Sequence, residues 1–114
     1  MTPVLEYWQT SEVGPTQWTV ALADGRLGVV QWRQGELRAF VSPGRATDSY
    51  KALESGRPVL VISGVRPTPM TPEAEAGMLD DGAMRANTRT LFDWSTANLV
   101  PEPRKYYQPR ELIR

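Results

Sequence analysis

Two turn signals, Asp24-Gly25 and Gln34-Gly35, cut the stretch from Gln17 to Val41 into three strand-like runs and constrain the fold more than any other feature. Gln17-Trp18-Thr19-Val20-Ala21-Leu22-Ala23 alternates, is rich in strand formers, and meets a dipeptide that favours a two-residue hairpin turn. Arg26 to Arg33 reads as the return strand, and Glu36 to Val41 as a third. Two-residue turns set the register. Leu22 is expected opposite Leu27, Val20 opposite Val29, and Val29 opposite Phe40, forming one apolar face with Trp18 at its end. The other face would carry Thr19, Ala21, Gly28, Val30 and Ala39, with Trp32 beside Leu37. Arg33 falls opposite Glu36, a pair worth about a few tenths of a kcal/mol. With both faces partly apolar, each needs cover over part of its area.

The flanks supply the cover. Val4 to Gln9 reads as a further strand, joined to the first run through Val13-Gly14-Pro15-Thr16. Ser42-Pro43-Gly44 breaks the sheet, Thr47 is placed to cap a short helix from Asp48 to Ser55, and Gly56 stops it. Val59-Leu60-Val61-Ile62 is too short for a helix and suits a buried strand. Thr71-Pro72-Glu73-Ala74-Glu75 carries a cap, a proline at the first helical position and acids in the first turn, predicting a helix to Leu79. Asp80-Asp81-Gly82 would interrupt it. A last helix from Ala83 to about Trp94 would place Met84, Thr88 and Leu91 on one side. The expected fold is α+β: an antiparallel β-meander of three to five strands with two or three short helices. Residues 1–100 form the domain, and 101–114 an extended C-terminal arm.

Composition narrows the chemistry. The 114 residues contain no cysteine and no histidine, which removes disulfides, thiolate catalysis, imidazole bases and the usual zinc ligands. Thirteen basic and thirteen acidic residues give no net charge, which disfavours duplex DNA or an anionic membrane as partner. No apolar run is long enough to span a bilayer. The start, Met1-Thr2-Pro3-Val4, lacks a secretory signal pattern, so the cytoplasm is the expected location. Arginine, alanine, glycine and proline all have GC-rich codons. Their abundance suggests a bacterial or phage accessory protein.

Candidate chemistry is sparse. Glu73, Glu75, Asp80 and Asp81 could draw a hard cation, but Glu73 and Glu75 diverge on a helix, and their spacing is that of a helix start and a solvated turn. Ser49 and Lys51 would not face one another on a helix, and no phosphate-cradling glycine motif occurs. No catalytic residue, metal or cofactor is therefore expected, and a metal-dependent enzyme is the weakest reading. Arg66-Pro67-Thr68-Pro69-Met70-Thr71-Pro72 has the form of a polyproline ligand, but a stiff link into the next helix accounts for it. Trp18 and Trp32 with Arg33 and Arg38 could stack and clamp a single-stranded nucleic acid, the second functional reading. The first reading is a non-enzymatic protein–protein interaction module, such as an assembly subunit, adaptor or inhibitor. It rests on the arm, where Tyr106, Tyr107, Arg104 and Arg110 are of the types enriched in interface hot spots and Lys105 adds a rim charge, between stiffening prolines. Its partner would be another protein or a second copy of the chain.

Overall fold

Alternation and turn chemistry carry the chain into strands first. The computed structural model describes residues 1–10 and 16–101. Strands β1 (Thr2–Gln9), β2 (Thr16–Leu22), β3 (Leu27–Arg33) and β4 (Glu36–Val41) are followed by helix α1 (Tyr50–Leu53) and strand β5 (Leu60–Ile62). Helices α2 (Pro72–Glu75) and α3 (Asp81–Thr88) then precede the two-residue strands β6 (Phe92–Asp93) and β7 (Asn98–Leu99). The result is a small α+β protein with one curled, mostly antiparallel sheet in the order β5-β4-β3-β2-β1-β6, in which β7 also pairs with β1. None of the described helices is long and apolar enough to cross a membrane.

The sheet is larger than the three to five strands expected. Phe92 and Asp93 pair in parallel with Thr2 and Pro3, and Asn98 and Leu99 with Glu6 and Tyr7. A turn closed by the Ala97 N–H on the Trp94 carbonyl, at 3.1 Å, separates the two pieces. Together they make one interrupted edge strand. Such short parallel pieces have no alternation of their own to announce them.

The two hairpins differ. Gln34 and Gly35 both adopt positive φ, 52° and 86°, giving the two-residue turn that sets Arg33 opposite Glu36 and Val29 opposite Phe40 as expected. The first hairpin instead has a three-residue loop. The Leu22 carbonyl accepts from the Gly25 N–H at 3.0 Å, and the Leu22 N–H donates to the Arg26 carbonyl at 3.0 Å. Only Gly25 is left-handed, at φ 88°. Asp24 favours this longer loop, because its carboxylate accepts from the Arg26 N–H at 3.0 Å and the Arg26 Nε at 2.7 Å. The register moves by one residue: Ala21 faces Leu27 and Thr19 faces Val29, in place of Leu22 with Leu27 and Val20 with Val29. Val29 and Phe40 therefore lie on the opposite face from Trp18.

One face buries Trp18, Val20, Leu22, Val30, Leu37 and Ala39 with Val4 and Tyr7, under Val65, Leu79, Met84 and Phe92. The Trp32 Nε1–H donates to the Val65 carbonyl at 3.0 Å and fastens the segment after β5 across this core.

The helices are shorter than expected. α1 begins after Ser49, whose own side chain makes no cap; the Asp48 carboxylate, in place of the expected Thr47, accepts from the Tyr50 N–H at 2.9 Å. Gly56, at φ 67°, does end that turn. Thr71 caps α2 as read, but Gly77 at φ 74° stops it: the Met78 N–H reaches the Glu73 carbonyl and the Gly77 N–H the Ala74 carbonyl. Asp80 does not interrupt a helix. Its carboxylate caps α3 through the Ala83 N–H at 3.1 Å. α3 ends at Thr88 since Phe92 is drawn into the sheet. β5 is an edge strand where a buried one was expected, and Val61 keeps 49% of its surface exposed.

Candidate interaction surface

The second face of the sheet is only partly covered. Ala52 and Leu53 of α1 sit on Val29 and Phe40, while Ala46 and Val100 close over Trp8, Ala21 and Leu27. Beyond α1, toward the Gln34-Gly35 turn, this face is polar. Gln31 donates to Gln17 at 2.9 Å, Arg38 pairs with Glu36 at 2.6 Å, and both Arg33 and Arg38 are exposed. Gln31, Arg33, Gln34, Glu36 and Arg38 line a shallow hollow of about 400 Å³ there.

At the β5 edge the surface turns apolar. Val61 lies opposite Arg38 with nearly half its surface in solvent, and Val59 just before the strand is 54% exposed. The backbone sets which groups are open. The Ala39 carbonyl accepts from the Val59 N–H at 2.7 Å and the Gly35 carbonyl from the Val65 N–H at 2.9 Å, so odd-numbered residues of β4 address β5. With Ala39 opposite Leu60 and Leu37 opposite Ile62, antiparallel alternation turns the N–H and C=O of Val61 outward. No strand among the described residues pairs with that side of β5.

The residues singled out from sequence fall in several places. Trp18 is buried and Trp32 half-buried on the core face, whereas Arg33 and Arg38 point to solvent on the other. The four nucleic-acid candidates are thus divided by the sheet and do not form one stacking surface. Arg104, Lys105, Tyr106, Tyr107 and Arg110 lie outside the described residues, as does most of the link at 13–16. Among the described residues, no group of three or more His, Cys, Asp or Glu side chains is placed to hold a metal ion.

Of the acids, Asp80 and Asp81 have structural partners. Asp80 accepts from the Thr68 N–H at 2.7 Å and the Thr68 hydroxyl at 2.9 Å as well as capping α3. Burial alone would raise its pKa, but these hydrogen bonds outweigh that and hold it below the usual aspartate range. The Tyr7 hydroxyl donates to Asp81 at 2.5 Å, and Asp81 pairs with Arg85 at 3.3 Å on the next turn of α3. Burial first, and the Asp81 carboxylate second, push the Tyr7 phenol well above its ordinary value. Trp94 packs edge-on against Tyr7, with ring centroids 4.9 Å apart. Sequence reading missed this cluster, because Tyr7 and Asp81 are 74 positions apart. No protein-family model, curated protein or solved structure matches this chain.

Proposed function

We propose that this chain is a non-enzymatic protein–protein interaction module that assembles with a second copy of itself through the β5 edge. The observation that carries this reading is the outward-facing backbone of Val61 on an open edge preceded by exposed Val59. An open edge is a template for another strand. Antiparallel pairing of β5 with its copy puts Val61 on the two-fold axis, where its N–H and C=O bond to those of its mate. The same apolar residues then meet across the seam, and a chain with no net charge does not repel its copy.

In this reading β1 to β5 act as a meander and the segment from Pro101 as an extended arm that straps the pair. Val100 is held at β1 by its N–H on the Tyr7 carbonyl, at 2.8 Å. From there to β5 are four strand spacings, about 19 Å. The seven residues from Pro101 to Tyr107 reach about 23 Å when extended. The arm is thus long enough to cross its own sheet and lay Tyr106 and Tyr107 on the partner, with Arg104, Lys105 and Arg110 around them. The setting proposed is the cytoplasm of a bacterium, or of one infected by phage, with the chain serving as assembly subunit, adaptor or inhibitor.

Light scattering coupled to size exclusion, over a concentration series, tests this. The wild type is expected to dimerise, Val61→Lys to be monomeric with an unchanged circular dichroism spectrum, and deletion of 102–114 to weaken the dimer. A wild type that stays monomeric at every concentration overturns the reading, and a dimer indifferent to Val61→Lys moves the interface elsewhere.

A further inference from the structure

At the opposite edge of the sheet from β5, α3 and the Arg89 that caps its C-terminus present a stripe with helical spacing: Gly82, Arg85, Ala86 and Arg89. It faces the segment that carries Phe92 and Trp94, and between them lies a cleft of about 560 Å³. The cleft is shallow and open to solvent, and its volume falls in the range of small-ligand sites. The space exists because the stripe is small where the wall is aromatic. Gly82 is not in a left-handed conformation, so its backbone does not require glycine, and the nearest atom to a Cβ there would be Asp80 Oδ2, at 3.4 Å.

The floor is apolar and ordered by packing. Phe92 is buried and meets Trp94 edge-to-face, with centroids 5.7 Å apart and planes at 83°. The rim is basic. Arg85 is held on one side by Asp81, itself anchored by the Tyr7 hydroxyl at 2.5 Å. The Arg85 Nε is buried and lies 3.3 Å from Asp81 without forming a hydrogen bond. Arg89, one turn further along, is exposed and has no ion-pair partner among the described residues. The one acid lining the cleft, Asp93, spends its Oδ1 on the Ser95 N–H at 3.0 Å and the Ser95 hydroxyl at 2.7 Å.

We propose that this cleft binds an aromatic carboxylate, its flat body on Trp94, which Phe92 backs, and its carboxylate between the guanidinium groups of Arg85 and Arg89. Arginine is suited to the task because its planar fork meets a carboxylate with two parallel hydrogen bonds. Tyr7 and Asp81 act as positioning residues that hold Arg85 in place before the ligand arrives. The site is independent of the β5 edge, so dimerisation and ligand binding can fail separately.

Titration of the ¹⁵N-labelled full chain with 2-naphthoate, followed by amide shifts, tests the proposal, with 2-naphthalenemethanol as the neutral control. Saturable shifts are expected in residues 82–94, and the neutral probe is expected to bind about tenfold more weakly, as for loss of a charge-assisted hydrogen bond. Arg89→Gln should weaken naphthoate about tenfold. Ala86→Leu, which fills the cleft from an exposed helix position, should abolish binding at an unchanged melting temperature. Equal affinity for the neutral probe, binding indifferent to both variants, or no saturable shift up to about 10 mM overturns the proposal.

Discussion

Tyr7 is the residue on which the two halves of the chain depend most directly. Its ring belongs to the core and its hydroxyl to Asp81 at the start of α3. Removing the hydroxyl in Tyr7→Phe is expected to cost about 1.5–3 kcal/mol in urea unfolding, the range for hydrogen bonds to charged groups. A loss below about 0.5 kcal/mol would show that water replaces the bond. The phenol pKa is raised in the folded state. Its contribution is therefore complete below the unfolded value of about 10 and is lost as pH rises through the folded one. Asp80 has the opposite sign. Its lowered pKa contributes stability above the unfolded value of about 3.9, and that contribution disappears as pH falls through the folded value. Asp80→Asn keeps a helix-capping side chain but gives up the charge. Melting curves should show it less stable than wild type near pH 6, with the gap closing below about pH 4. A gap independent of pH would mean that geometry, not charge, sets the role of Asp80.

Among the elements, the hairpins decide which side chains share a face. Asp24-Gly25 and Gln34-Gly35 look alike in sequence, yet one forms a three-residue loop and the other a two-residue turn. The difference arises from one short side chain. Asp24 reaches forward to Arg26 and holds a loop that ends in left-handed Gly25. Close Hα–Hα contacts are expected between Thr19 and Val29 and between Ala21 and Leu27, as non-hydrogen-bonded pairs of this register. Contacts between Val20 and Val29 would restore the two-residue turn. Gly25→Ala should destabilise the protein by about 1–2 kcal/mol, since φ 88° is costly for an L side chain. The added Cβ would also fall 2.8 Å from the Arg45 guanidinium carbon, a flexible group that can move aside.

On the scale of the whole molecule, the sheet has two unlike edges. The β1 side is finished by β6 and β7 and backed by α3, while the β5 side ends in exposed valines. Short length and the flanking Pro58 limit how far the open edge can propagate. That limit favours a closed pair over a fibre. The expected stoichiometry is two, and larger species at high concentration in light scattering would count against the two-fold arrangement. Val29→Ala, beneath α1, should cost about 1–3 kcal/mol without changing assembly, because Val29 is fully buried and lies two strands in from the β5 edge.

The sequence by itself determined the elements whose signals are local: β2 to β4, the Gln34-Gly35 turn, the Thr71-Pro72 helix start and the stop at Gly56. Those follow from backbone preferences that a residue and its near neighbours impose. It also determined that Met84 and Thr88 are buried together, as a helical period requires. Tertiary structure decided the rest. The register of the first hairpin turned on a side-chain hydrogen bond that competes with the usual dipeptide preference. β6 and β7 exist because β1 offers them backbone partners, and α3 stops at Thr88 because Phe92 is worth more in the core than in another helical turn. The Tyr7–Asp81–Arg85 cluster and the cleft beside it join residues from opposite ends of the chain. Their chemistry comes from desolvation and proximity, and neither exists until the chain has closed.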